Sequence, residues 1–293
     1  MIYFTPFLTA YFSVIAFVLG TVLASFLGCL GWRMCHGESV LKGRSHCDSC
    51  NHTLGARDLI PILSYILNKG RCRHCGAKIS PLNLCGEIIM GVLFSVMILI
   101  YRTFNLELLL WLFLFCILYL VTVTDIYEQI IPDSALLVAI IFKVVHFMIC
   151  YQFDLHQNII YIEKPAIWIK LFELLVDGLA VSLPLLILVL IMEKILKKEA
   201  MGGGDIKLLF VTGLYLGWAR NILVVFFACI IGIIVGTIQQ KNMQQDVEKN
   251  TLENEEMEEA QPFYFAFGPS IAASAVFVLF FGNQMIDWYL SLF

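Results

Sequence analysis

Four cysteines and two aspartates are the residues of this chain whose types and spacing could do chemistry. Cys47-Asp48-Ser49-Cys50 and Cys72-Arg73-His74-Cys75 form two Cys-x-x-Cys pairs separated by 21 residues, the spacing of a four-thiolate zinc site. Each pair can turn tightly and present two sulfurs to one tetrahedral ion. Four thiolates leave no open position for water, so such an ion is structural rather than hydrolytic. His46, His52 and His74 stand beside the pairs and read as exposed loop residues rather than ligands. Disulfides are the competing use of these cysteines, and a reducing compartment disfavours them.

Asp125 closes the apolar run 118–124, and Asp205 follows Gly202-Gly203-Gly204 directly before Ile206-Lys207-Leu208-Leu209. A carboxylate beside hydrocarbon is costly and usually has a functional or pairing reason to be there. Two facing carboxyls share a proton, so that one draws a proton from water while the other polarises a peptide carbonyl. Gly202, Gly203 and Gly204 leave room for an extended substrate to approach the backbone. The plainer readings are a helix-end carboxylate at Asp125 and a helix N-cap at Asp205, and the latter is compatible with catalysis. Glu128 and Asp133 rank as supporting residues, because Ile130-Ile131-Pro132-Asp133 reads as a turn opening a capped helix.

The elements that must hold these residues are membrane helices. The 293 residues are 60% hydrophobic and 14% charged, and the mean hydropathy of +0.84 is far too apolar for a water-soluble domain of this length. Apolar runs fall at about 5–30, 82–101, 106–124, 134–151, 171–195, 206–218, 222–238 and 265–293. The reading is an all-α polytopic membrane protein of about eight transmembrane helices, the first of them a span rather than a cleaved signal. The run after Gly204 is short and broken by Gly213 and Gly217, as a tilted or re-entrant helix would be. Residues 1–30 form the first span, 31–80 a small zinc-binding domain, and 81–293 a polytopic core.

Charge orients the chain. Residues 32–80 carry eight Lys and Arg against three acids, which places this segment in the cytoplasm by the positive-inside rule. The loops holding Asp125–Asp133 and Glu193–Asp205 then fall on the same side. Residues 239–261 hold seven acids against two lysines and read as a solvated cytoplasmic connector. The other six cysteines lie in or beside apolar runs and read as small core residues.

Gly202-x-Gly204-Asp205, preceded by Asp125 with Ile131-Pro132-Asp133 and by the double Cys-x-x-Cys segment, resembles the bacterial type IV prepilin peptidases, aspartyl proteases of the GxGD kind. Ala24-Ser25-Phe26-Leu27, the segment Asp58–Tyr65, Gly70-Arg71-Cys72-Arg73 and Phe267-Gly268-Pro269 add to the likeness, which weakens over 151–170 and 239–261. The resemblance implies a catalytic pair at Asp125 and Asp205 in a multi-pass protein of the bacterial inner membrane, its active site facing the cytoplasm. It implies cleavage after the glycine that ends the leader of a type IV prepilin or pseudopilin. It further implies N-methylation of the new amino terminus from S-adenosylmethionine, with zinc as a structural ion. Membrane lipid is an expected partner and nucleic acid is not. Residues binding the methyl donor are not identifiable from motifs, because no Gly-x-Gly-x-x-Gly fingerprint is present; Glu87 and Glu38 are candidates whose plainer role is to face headgroups or solvent.

Two other classes are weighed against this. A proton-coupled transporter would use Asp125 and Asp205 as relays, but it calls for repeat symmetry and mid-membrane carboxylates. A membrane-anchored zinc ribbon that recruits a partner would explain the basic segment, whose charge the membrane orientation already explains.

Overall fold

The computed structural model describes residues 3–39, 43–157, 167–197, 201–253 and 266–292. The described residues are almost wholly helical, with two isolated antiparallel bridges in place of strands. The chain divides into two compact units, Met1–Tyr161 and Ile162–Phe293.

The first unit contains α1 (Pro6–Cys35), the short α2 (Leu63–Leu67), α3 (Pro81–Tyr101), α4 (Leu106–Glu128) and α5 (Asp133–Gln157). Local chemistry sets several of their starts. Thr5 and Ser80 cap α1 and α3 through their hydroxyls, each followed by a proline whose missing N–H costs nothing in a first turn. Asn105 caps α4, its Oδ1 accepting from Leu108 N at 2.7 Å.

Small residues let α1 and α3 lie close. A Cβ added at Gly20 would stand 2.6 Å from the Met90 carbonyl oxygen, and one at Gly91 would meet Thr21 and Phe17. Ser13 and Ser95 hydrogen-bond across the same seam at 2.6 Å. Such seams hold helices together in lipid, where neighbouring acyl chains are as apolar as leucine. The outward face of α1, with Tyr11, Val14, Val18, Val22 and Phe26, is exposed and apolar, as a lipid-facing surface must be. Helix α4 is the most enclosed of this unit, burying Leu114, Phe115, Leu118 and Val121.

The second unit contains α6 (Ile167–Leu196), α7 (Gly203–Leu216), α8 (Trp218–Glu253) and α9 (Gly268–Leu290). Here α7 is the enclosed helix: all but four of its 14 residues are buried, whereas α6 buries only Gly178, Ser182 and Val189. Gly178 and Gly213 make this enclosure possible. Their missing side chains would collide with Phe210 and with the Asp177 carbonyl. Inside the unit Thr212 donates to Asn221 Oδ1, and Asn221 Nδ2 donates to the Leu209 carbonyl, so these buried polar groups are satisfied.

Among the described residues seven helices are long and apolar enough to cross a membrane, the exceptions being α2 and α7. At about 1.5 Å per residue α7 reaches roughly 21 Å, short of a hydrocarbon core of about 30 Å. It ends where expected, at Gly217 with φ +85°, and α8 begins at the next residue. The acidic segment differs from expectation. The backbone of α8 stays helical through Glu253 instead of giving way to a connector at Gln239, because residues 239–253 lack Gly and Pro and are rich in Gln, Glu and Lys. Residues 254–261 lie outside the described residues.

Candidate metal centre and buried carboxylates

The two cysteine pairs are built alike. Cys47 N–H donates to the His52 carbonyl at 3.0 Å, and Cys72 N–H donates to the Ala77 carbonyl at 2.8 Å. Asn51 and Gly76, each immediately after the second cysteine, donate back to Cys47 and Cys72 and take positive φ of 53° and 75°. Asparagine and glycine tolerate that left-handed turn best, so each pair closes into a knuckle with its sulfurs on one side.

The ligand sulfurs of Cys47, Cys50, Cys72 and Cys75 all lie within 4.8 Å of one another, and Cys47 and Cys75 are 3.9 Å apart. Sulfurs about 2.3 Å from a tetrahedral ion would be roughly 3.8 Å from each other, so the set fits one ion and could hold it. All four are free thiols. Their electrostatics also call for a cation. Backbone N–H groups of Cys75 and His74 hold the Cys72 thiol down to about 7. At Cys50 the His52 N–H acts in the same sense, but burial and the Cys75 and Cys47 sulfurs outweigh it and push the thiol up to about 11. Crowded thiolates of one sign need a positive centre among them. The neighbouring histidines stand outside the ligand set: His46 approaches Glu38 at 3.7 Å, and the rings of His52 and His74 pack against each other at a tilt of 36°.

Asp125 lies in the last turn of α4 and is 4% exposed. Its carbonyl accepts from Gln129 N, whose left-handed conformation ends the helix. Gly31 of α1 seats Val123 close by, since a Cβ there would fall 2.8 Å from that side chain. Glu128 and Asp133, the rival acids, are both exposed. Asp205 is the third residue of α7 and is 9% exposed. Gly202, not Asp205, is the N-cap. A Cβ on Gly202 would sit 3.3 Å from Asp205 Oδ2, whereas one on Gly203 would meet nothing within 4 Å. The glycines therefore combine close contact with the carboxylate at Gly202 and open space at Gly203.

Glu87, expected to face headgroups or solvent, is 8% exposed. Its Oε2 accepts from the Ile62 backbone N–H at 2.7 Å, tying α3 to the segment between the cysteine pairs. Nothing in the sequence signals that link, because the partner is a main-chain group 25 residues away. Glu38 instead pairs loosely with Arg33 at 4.0 Å. Among the remaining cysteines, Cys85 and Cys229 are exposed on α3 and α8 rather than buried, since their helices turn that side outward.

These features define a polytopic helical membrane protein with a four-thiolate centre in one unit and a buried carboxylate on the most enclosed helix of each. Residues 18–101 match the model of the bacterial peptidase A24 N-terminal domain, and residues 112–237 match that of the type IV leader peptidase family. The chain belongs to the type IV leader peptidase family. It is 26% identical over 278 residues to the prepilin leader peptidase/N-methyltransferase of Bacillus subtilis (strain 168), covering 95% of this chain and 98% of that protein. Proteins of the same name from Aeromonas salmonicida (strain A449) and Myxococcus xanthus (strain DK1622) are 28% and 29% identical, over 86% and 78% of this chain and 76% and 63% of theirs. No solved structure matches the chain.

Proposed function

We propose that this protein is a membrane aspartyl endopeptidase that removes the leader from type IV prepilins or pilin-like precursors and N-methylates the exposed amino terminus. The observation that carries the proteolytic reading is the burial of Asp125 and Asp205, each on the innermost helix of its unit, while Glu128 and Asp133 remain exposed. Together the two carboxyls share one proton: the ionised one takes a proton from the attacking water, and the protonated one polarises the scissile carbonyl. Gly202, Gly203 and Gly204 form the substrate approach, with the open space at Gly203 available to an extended peptide.

Zinc is the ion that suits four thiolates in a tetrahedron, and it holds the cysteine segment rather than attacking the peptide. In the second reaction the deprotonated amino nitrogen bonds to the donor's methyl carbon, the carbon–sulfur bond breaks with its pair left on sulfur, and a proton leaves the nitrogen. The basic segment faces the cytoplasm of a bacterial inner membrane, so the site is cytoplasmic. Exposed Leu63, Ile66 and Leu67 on α2 beside Lys69 and Arg71 suit contact with lipid and anionic headgroups.

The test is cleavage of a model prepilin in reconstituted membranes. Asp125→Asn and Asp205→Asn should each lower the rate by about 10²–10⁴-fold while leaving metal content intact. Cleavage near the wild-type rate by either variant would remove that residue from the catalytic pair.

A further inference from the structure

We infer that the methyl donor binds in the cavity between the cysteine segment and the ends of α1, α3 and α4, with the Glu87 carboxylate facing its positive charge. The inference rests on the methyltransferase part of the proposed function. The cavity lies wholly within the first unit and has a volume of about 290 Å³. That is close to the lower end of the range of roughly 300–1,000 Å³ for small-molecule sites.

Its wall is mixed in charge, with Arg33, Arg71, Arg73 and Lys78 against Asp48, Asp58 and Glu87, and it offers partners for several groups of S-adenosylmethionine. Tyr65 and Tyr119 bring aromatic rings to the wall for adenine, Asn68 offers an amide to base or ribose, and Arg71 offers a guanidinium to the donor's carboxylate. The sulfonium and ammonium groups remain, and these require an anion. Glu87 lines the cavity, is buried, and has no ion-pair partner among the described residues. A buried carboxylate without a cation is costly, and a bound cation relieves that cost.

The one hydrogen bond Glu87 does make also points to a built site. Ile62, whose N–H it accepts, sits at φ 61° and ψ −54°, and Leu63 N donates back to the Pro61 carbonyl. This is the rare positive-φ γ-turn, in a β-branched residue that strongly disfavours it. Such strain persists where the surroundings over-determine it, commonly at ligand clamps. The bond to Ile62 fixes the carboxylate on one side and brings Asp58 and Tyr65, which flank the turn, to the cavity wall.

The test uses the full chain in nanodiscs. Binding of S-adenosylmethionine is measured by calorimetry, and radiolabelled donor is photocrosslinked and mapped by peptide sequencing. Glu87→Gln keeps an oxygen to accept from Ile62 but removes the charge, and should weaken binding about tenfold or more with metal content and thermal midpoint unchanged. Crosslinks in the wild type should fall within residues 32–87 or on Tyr119. Wild-type affinity in Glu87→Gln, or crosslinks confined elsewhere, would overturn the assignment of the site. Prepilin cleavage without any donor binding by the wild type would overturn both the site and the methyltransferase reading while leaving the peptidase reading in place.

Discussion

The four thiols and the two carboxylates are positioned by opposite means. Each cysteine knuckle is closed by hydrogen bonds among near neighbours, Ser45 to Leu54 in one case and Gly70 to Ile79 in the other. Asp125 and Asp205 owe their placement to helices that must first be enclosed by others distant in sequence. Gly31 of α1 makes room for Val123 beside Asp125, and Gly178 of α6 makes room for Phe210 on the helix that carries Asp205 in its first turn. The metal centre is thus a local construction and the carboxylates a product of packing. Damage to one should leave the other largely standing.

The strongest way to break that separation is to remove ligands. Replacing Cys47 and Cys75 together by Ser takes one sulfur from each knuckle, and two remaining thiolates do not hold a tetrahedral ion with useful affinity. Metal content by atomic absorption should fall to near zero. Methylation should fall with it, because the cavity wall is part of the same segment. Prepilin cleavage should fall far less, and an equal loss of both activities would show that the two regions act as one.

A smaller effect separates two adjacent glycines at the second carboxylate. Gly202→Ala puts a methyl 3.3 Å from Asp205 Oδ2, so the carboxylate must give by a few tenths of an ångström. Misplacement on that scale should lower kcat by roughly tenfold. Gly203→Ala meets nothing of the protein within 4 Å and should leave stability and kcat near wild type while raising KM, because the added methyl occupies space meant for substrate. Equal kcat losses in both variants would contradict this division of roles, and steady-state cleavage kinetics read it directly.

The same contrast explains what was legible in the sequence. The knuckles were readable because Cys-x-x-Cys followed by Asn51 or Gly76 contains nearly everything the turn needs. The helices were readable from apolar runs, to within a few residues at most ends, because caps such as Thr5, Ser80 and Asn105 sit beside them. The continuation of α8 through Glu253 was missed because charge and polarity suggested solvation, and solvation is compatible with a helix. Burial of Glu87 was missed for a different reason. Its partner is a backbone N–H whose availability depends on a strained turn at Ile62, and no residue type encodes that. Asp125 and Asp205 stood out as acids beside apolar runs, yet their enclosure depends on glycines in other helices.

The mildest perturbation tests the locality of the metal centre most sharply. A Cβ at Gly20 would stand 2.6 Å from the Met90 carbonyl and 3.0 Å from Gly91 Cα, both backbone atoms that cannot rotate away. Gly20→Ala must therefore push α1 from α3, and overpacking of this kind costs about 1–3 kcal/mol. A lower thermal midpoint should follow, with metal stoichiometry at its full value because neither knuckle draws a hydrogen bond from the seam. Loss of metal from Gly20→Ala would mean that the α1–α3 seam, which brackets the cysteine segment on both sides, sets the distance between the knuckles and so governs the ion as well.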